Sequence, residues 1–266
     1  MIQRQILLLV VISTLIILLT FSRHTLVHAA SYDCAAQSNI PQSECEGLIA
    51  LYNSTDGNNW NNNTNWLNAN PCTWYGIECT GNHVTAVRES SNFLLGTFPP
   101  EIGNLTYLMD LQLQQNHLSG EIPAAIGNLT NLQQLYLVDN NLTGTLPSQI
   151  GNLTSLTYLN VASNQLTGEL PASVWSLFNL TALLFSDNQF TGTIPTSIAS
   201  LTKLQALVGE WNQLSGNIPA EIGNLTKLKL INLSRNNLTG SIPSQIGNLN
   251  RLEYIYVNDN LLSGDI

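Results

Sequence analysis

Charged side chains are scarce in this sequence. Asp, Glu, Lys and Arg make up 9% of its 266 residues, and 17 acidic residues stand against 8 basic ones. Nucleic acids and anionic membrane surfaces are bound mainly through clustered Lys and Arg. A chain so poor in basic residues is therefore not expected to bind either of them.

The residues and motifs of catalysis are scarce as well. Of four histidines, only His83 and His117 lie beyond residue 30, and neither has a second metal ligand at a suitable spacing. No GxGxxG, HExxH or GxSxG motif occurs. The acidic residues are scattered, whereas an enzyme needs converging carboxylates or an activated nucleophile. The sequence thus predicts a non-catalytic protein without a cofactor or metal site.

One long hydrophobic run is present, at residues 6–21, after a short charged start. With the Val-His-Ala sequence at 27–29, it is typical of a secretory signal peptide covering residues 1–30. An uncleaved membrane anchor is the alternative. Removal of residues 1–30 would leave six basic residues against 17 acidic ones. We therefore expect the protein to be secreted or exposed at the outer face of the cell surface.

Only four cysteines occur, at Cys34, Cys45, Cys72 and Cys79. An even number in an exported chain predicts two disulfides, and four cysteines allow three pairings. A zinc site is disfavoured because no CxxC or CxxH spacing is present.

The chain repeats itself every 24 residues. The segment 108–131, LMDLQLQQNHLSGEIPAAIGNLTN, returns from Leu132 onward without insertion or deletion. Leu111 and Leu113 alternate with polar residues, which predicts a short strand with one buried face. A strict period of this length is typical of a solenoid, in which the strands stack as a parallel sheet. One asparagine recurs in every unit, as Asn92, Asn116, Asn140, Asn164, Asn188, Asn212, Asn236 and Asn260.

The pattern LxxLxLxxNxLxGxIPxxIGNLxx resembles the plant-type leucine-rich repeat over residues 84–266, as eight units with the last incomplete. The resemblance implies an α/β solenoid, a right-handed superhelix with a parallel β-sheet on its concave face. It also implies that the recurrent asparagines form a ladder that bonds the backbone of neighbouring coils.

The segment 31–83 is predicted to be an N-terminal cap. Its PCTWYGIEC sequence at 71–79 looks like the cysteine pair of the leucine-rich-repeat cap, and we favour the local pairing Cys34–Cys45 and Cys72–Cys79. ALYNSTDGNNW at 50–60 resembles caps of microbial relatives more than those of land-plant receptors. Ser43, followed three residues later by Glu46, predicts a capping box at the start of a helix.

Two units depart from the pattern. Glu89 and Gly209 stand where the second strand leucine belongs. We interpret Glu89 as an irregularity beside the cap, and we expect Gly209 to relax its strand locally.

Side chains at the outward strand positions are the candidate binding residues. Polar residues are the default at such positions, yet several are apolar or aromatic, with acidic residues at the rim. The predicted ligand-binding set on the concave face is Tyr136, Tyr158, Leu184, Val208, Trp211, Leu230, Tyr254 and Tyr256. Strand propensity alone is the competing interpretation, and Tyr254 and Tyr256 are also suited to cover the end of the stack.

Basic residues form a weaker column. Lys203, Lys227 and Arg251 share one repeat position, with Lys229 close by. Contact with an acidic glycan and simple solubility are the two interpretations of this column.

The family resemblance implies extracellular recognition of a protein or peptide ligand, as in receptor-kinase ectodomains and receptor-like proteins. An inhibitor of secreted hydrolases and a structural, surface-adsorbing repeat protein are the alternatives. Ten asparagines fit the NxS/T acceptor pattern, so a eukaryotic source would predict glycosylation. The sequence shows no C-terminal capping repeat, so we expect a fragment of a longer protein. Membrane attachment through the N-terminus or through a segment beyond Ile266 stays open.

Overall fold

The computed structural model describes residues 32–264. Contacts divide the chain into Met1–Asp33 and Cys34–Ile266, and every element below belongs to the second unit. The hydrophobic run predicted as a signal peptide lies outside the described residues. Within the described range, none of the helices combines the length and hydropathy required to cross a membrane.

A nine-stranded sheet extends from Ile77 to Tyr256, with its strands side by side in chain order. Its first two strands are antiparallel and all later pairs are parallel. Residues 24 apart face each other, as Leu111 does Leu135, which confirms the predicted parallel sheet. The strands are β1 (Ile77–Thr80), β2 (His83–Arg88), β4 (Asp110–Gln112), β6 (Gln134–Tyr136), β8 (Tyr158–Asn160), β10 (Ala182–Leu184), β12 (Ala206–Val208), β14 (Leu230–Asn232) and β16 (Tyr254–Tyr256).

The return half of each coil holds a second short strand and a 3₁₀ helix. The short strands form small parallel sheets, β3-β5-β7, β9-β11 and β13-β15-β17. They are β3 (Leu95–Thr97), β5 (His117–Glu121), β7 (Asn141–Thr143), β9 (Thr167–Glu169), β11 (Gln189–Thr191), β13 (Ser215–Asn217), β15 (Asn237–Gly240) and β17 (Leu261–Leu262). The 3₁₀ helices recur every 24 residues, from Pro100–Asn104 to Ser244–Asn248. Glycine is required beside these strands because Gly144 has φ 74° and an added Cβ would lie 2.7 Å from Glu121.

The core lies between the two layers of strands. Leu111, Leu113 and Leu118 are fully buried, as are Ile126 and Leu129 from the same coil and its turn. Each such side chain contributes about 1.5–3 kcal/mol before conformational entropy is subtracted.

The predicted asparagine ladder is confirmed. The Asn140 amide Nδ2 donates to the carbonyl of Leu137 in its own coil (3.1 Å) and to that of Leu113 in the preceding coil (2.9 Å). Its Oδ1 accepts the backbone N–H of Leu118, also in the preceding coil, at 3.0 Å. Because these groups are buried, the amide satisfies donors and acceptors that water cannot reach.

The cap contains the α-helix α1 (Gln42–Ser54) and both predicted disulfides, Cys34–Cys45 and Cys72–Cys79. Four aromatic side chains pack together in the cap, with ring centroids 4.8–5.4 Å apart. They are Tyr52 of α1 and the tryptophans Trp60, Trp66 and Trp74. The predicted capping box is wrong, because Pro41 is the N-cap residue and α1 begins before Ser43, with no side-chain cap. Glu44 instead turns inward and accepts the N–H of Val84 at 2.7 Å, which joins the helix to β2.

The two irregular positions have different explanations. Glu89 is fully buried beside the cap, where its carboxyl group accepts a hydrogen bond from Asn92. Gly209 leaves room for its neighbour: an added Cβ would lie 2.2 Å from the ring of Phe185, which occupies the same position one coil earlier. Gly209 N–H still donates to the carbonyl of Asn232 at 2.8 Å. The strand is therefore not relaxed, and the missing side chain is compensated by a larger one.

Candidate ligand-binding face

The open face is the side of the nine-stranded sheet that points away from the core, formed by the first and third residues of β4 to β16. The family resemblance predicts this face on the concave side of the solenoid. In β6, for example, Leu135 is fully buried while Gln134 and Tyr136 remain partly accessible. All eight predicted binding residues belong to this face or to its rim, where the strands end.

Two tyrosines on the neighbouring strands β6 and β8 form a pair on the open face. The rings of Tyr136 and Tyr158 stack with centroids 4.6 Å apart and an interplanar angle of 27°. Burial raises the pKa of both hydroxyls above the ordinary value of 10. Both tyrosines therefore stay protonated at physiological pH and present hydrogen-bond donors beside an apolar surface.

An aliphatic stretch continues from this pair. Leu184 lies opposite Val208 in the next strand, and Ala206 lies opposite Leu230. Ala182 is buried, and the other four are half-buried. The stretch has no hydrogen-bonding side chain of its own, so it offers apolar contact area alone.

Trp211 stands at the rim, in the left-handed conformation (φ 54°), and 52% of its surface is exposed. The guanidinium of Arg235, one coil later, lies 4.0 Å from the centre of the Trp211 ring. Arg235 Nε is also 3.3 Å from Asp259 Oδ2. The contact with Arg235 was missed by sequence reasoning, although the 24-residue spacing of the two positions was available as a signal.

Tyr254 and Tyr256 are exposed by 56% and 46%. Their rings are nearly parallel, with centroids 6.3 Å apart. They belong to β16, the last strand of the described sheet, where even the core position Ile255 is 37% exposed. Exposure there follows from the edge of the sheet, so these two tyrosines are weaker candidates than Tyr136 and Tyr158.

A charged cluster lies at the other end of the open face. Arg88 donates to the carboxylate of Glu78 and, at 2.6 Å, to Asp110 Oδ2. These hydrogen bonds raise the pKa of Arg88 above its ordinary value. Sequence reasoning did not find this cluster, because Glu78 belongs to the antiparallel strand β1 and lies outside the repeat.

No group of three or more His, Cys, Asp or Glu residues within the described chain is arranged to hold a metal ion. The open face is a surface of contact groups: aromatic rings, aliphatic side chains, hydroxyls and rim charges.

Family models match three parts of the sequence. A leucine-rich repeat model matches residues 106–166 and 130–190, a second one matches 227–249, and a leucine-rich repeat N-terminal domain matches 41–80. Together they cover more than half of the chain. The chain belongs to the leucine-rich repeat family.

Solved leucine-rich repeat structures resemble it over most of its length. The structure of PEPR1 with AtPEP1 has a TM-score of 0.77 at 34% identity, over 84% of this chain and 32% of that one. The Arabidopsis receptor kinase HAESA with the peptide hormone IDA and the co-receptor SERK1 has a TM-score of 0.71 at 29% identity, over 84% of this chain and 38% of that one. The Leptospira interrogans protein LIC12759 has a TM-score of 0.57 at 35% identity, over 64% and 43%. This leucine-rich repeat chain thus spans about a third to two fifths of these proteins.

Proposed function

We propose that this protein is a non-catalytic extracellular recognition module that holds a protein or peptide ligand along its open face, as the ectodomain of a surface receptor or as a secreted binder. The observation that carries the proposal is the run of aromatic and aliphatic side chains from Tyr136 to Leu230 on the accessible side of the sheet. The core is complete without these residues. Accessible apolar side chains in one contiguous patch are typical of binding surfaces.

Two further observations support it. PEPR1 was solved with AtPEP1, and the receptor kinase HAESA was solved in complex with the peptide hormone IDA and a co-receptor; the solenoid of this chain resembles both. The two disulfides of the cap are stable in an oxidising compartment, outside the cytosol.

The open face is favoured as the binding surface over the ridge, which is the side of the solenoid formed by the short strands of the return half and the residues just after them, such as Glu121 and Thr145. A surface-adsorbing protein needs regular columns of small polar residues. On the ridge, the column that holds Thr145 and Thr193 is interrupted by the exposed side chains of Glu121 and Glu169. The third alternative, inhibition of secreted hydrolases, would use the same open face with a protein ligand.

The test is selection from a displayed library of random 12-residue peptides against the full chain, followed by affinity measurement. We expect a triple variant that combines Tyr136→Ala, Tyr158→Ala and Trp211→Ala to bind the selected peptides at least tenfold more weakly, because aromatic anchors carry most of the binding energy in such contacts. The control combines Phe93→Ala with Phe178→Ala, two exposed aromatic residues outside the open face. Failure to enrich any peptide, or equal binding by both variants, would contradict the proposal.

A further inference from the structure

The floor of the open face carries no charge from β6 onward. None of the strands β6, β8, β10, β12, β14 and β16 contains Asp, Glu, Lys, Arg or His. The charges of this region stand instead on either side of the floor. Because the strands are parallel, their N-terminal ends form one rim and their C-terminal ends form the other.

The rim at the C-terminal ends of the strands is acidic. Asp139 follows β6 and Asp187 follows β10; both are exposed and make no ion pair within residues 32–264. The other acids of this rim are already engaged, since Glu210 accepts from Asn232 and Ser234, and Asp259 pairs with Arg235. The charges free to meet a ligand on this rim are therefore Asp139 and Asp187.

The rim at the N-terminal ends is mainly basic: it carries four basic residues and one exposed acid, Glu253, which immediately precedes β16. Lys203 precedes β12, Lys227 and Lys229 precede β14, and Arg251 precedes β16; all four are exposed. None of them is in an ion pair within the described range, although Lys203 donates to Asn179 Oδ1 at 2.7 Å. The two remaining basic residues of residues 32–264, Arg88 and Arg235, are both paired with acids. The free positive charge of an acidic protein is thus gathered on one rim.

The free charges are displaced along the stack as well as across it. Neighbouring strands lie about 4.8 Å apart, so the centre of the acidic group, near β8, is roughly 15 Å along the stack from the basic group, near β14. Six residues of chain separate the Lys229 position from the acidic rim, and eight separate the position of Lys203, Lys227 and Arg251 from it, which is roughly 20–26 Å of extended chain. The floor is therefore crossed by a diagonal charge gradient, from acid beside the Tyr136–Tyr158 pair to base beside Leu230.

We propose that this gradient selects an amphoteric peptide segment in one orientation, with its basic residues beside Asp139 and Asp187 and its acidic residues beside Lys203, Lys227 and Lys229. The inference rests on the proposed function and adds the charge pattern of the ligand to it. The straight distance between the two groups is roughly 25–30 Å, and an extended segment rises about 3.3 Å per residue, so roughly eight to nine residues separate its basic from its acidic groups.

The two sets of contacts have different roles. The uncharged floor supplies affinity through apolar burial, whereas exposed charges add little affinity each and act mainly on orientation, specificity and association rate. A peptide placed in reverse would bring like charges together at both rims. At low salt the reversed peptide therefore binds more weakly than the peptide in the proposed orientation, and this difference decreases as salt screens the charges on the rims.

The experiment uses the peptides selected above from the random library. We expect them to share a base-to-acid order with the stated separation. Asp139→Asn with Asp187→Asn, and Lys203→Gln with Lys227→Gln, should each weaken binding by roughly 3- to 10-fold at low salt and less at high salt. Synthetic peptides in which the acidic and basic residues are exchanged should bind the unchanged protein more weakly by a similar factor.

Control variants make the same change in net charge on the opposite ridge. Glu121→Gln with Glu169→Gln matches the aspartate pair, and Thr145→Glu with Thr193→Glu matches the lysine pair; all four positions are exposed. Each control should change affinity less than twofold. Peptides that depend on Tyr136, Tyr158 and Trp211 but show no charge order, or rim variants that behave like their controls, would overturn this inference and leave the proposed function standing. Peptides that ignore the three aromatic residues would instead remove the proposed function.

Discussion

The cap and the stacked coils are held together in different ways. In the coils, the same leucines and the same asparagine recur every 24 residues, and each coil contacts its neighbours. The contacts of the cap are not repeated along the chain. They comprise two disulfides, a cluster of four aromatic rings, and hydrogen bonds from indole N–H groups to backbone carbonyls, as from Trp74 Nε1 to Asn68 at 3.1 Å. The coils therefore share their stability among equivalent contacts, whereas the cap depends on individual ones.

The largest effect is expected from Trp74→Ala. The side chain is 2% exposed and packs on Trp66 with ring centroids 4.8 Å apart. Its removal should lower the free energy of unfolding by about 3–5 kcal/mol. Hydrogen exchange should show the loss of protection concentrated in residues 34–92. Equal loss of protection in the distant coils near β14 would contradict the difference between the two regions.

Restoring the repeat pattern at Gly209 should destabilise the protein. Gly209→Leu places a side chain where the Phe185 ring already lies, so it should cost about 1–3 kcal/mol or more. The double variant Phe185→Leu with Gly209→Leu should recover most of this loss, because it recreates the packing of the other coils. Urea unfolding of the two single variants and the double variant measures the coupling. Additive losses would show that the two positions do not compensate each other.

A single rung of the ladder tests how far a coil depends on its neighbour. Asn140→Ala leaves the buried N–H of Leu118 without its partner and removes one of two side-chain hydrogen bonds to the carbonyl of Leu113, which keeps the one from Asn116; it should cost about 1–3 kcal/mol. Asn141→Ala is the matched control, since Asn141 is adjacent and exposed. Thermal or urea unfolding should separate the two variants. Equal stabilities would mean that the ladder amide contributes nothing beyond its neighbour.

Taken per pH unit, the smallest effect is the pH dependence of stability at the junction of cap and coils. Burial raises the pKa of Glu89 from 4.5 to about 8, and the hydrogen bond from Asn92 offsets this only in part. Between these values the folded protein keeps a proton that the unfolded chain releases, so stability should fall as pH rises, by up to about 1.4 kcal/mol per pH unit. Glu89→Gln should flatten this slope. A slope unchanged by the substitution would show that Glu89 is not its origin.

The features that recur in every 24-residue unit were predicted correctly from the sequence. Parallel pairing, the identity of the core leucines and the asparagine ladder follow from one unit, because every coil has the same neighbours. The disulfide pairing followed from the resemblance of 71–79 to known caps. The eight candidate binding residues and the boundaries at 30 and 83 remain predictions.

The remaining features depend on contacts between unlike positions. The ring of Phe185 fills the space at Gly209 one coil later, and Arg235 covers Trp211. Neither pairing is visible within a single unit. The start of α1 at Gln42 was mispredicted because the capping rule considered Ser43 and Glu46 without the proline two residues earlier. Glu89 was interpreted as an irregularity beside the cap, and its burial there involves cap residues that have no counterpart in the repeats.

The asparagine ladder also has a direction. Asn140 bonds the N–H of the residue 22 positions earlier in the chain and the carbonyl of the residue 27 positions earlier, and Asn188 bonds Leu166 and Val161 in the same way. A ribosome releases the N-terminal part first, so each coil emerges with polar groups whose partner has not yet been made. The cap provides the first surface, with Asn92 joining it to the solenoid through Asn62. Each later asparagine then closes the coil before it, so the order of synthesis is also an order in which the solenoid can be completed, one turn at a time.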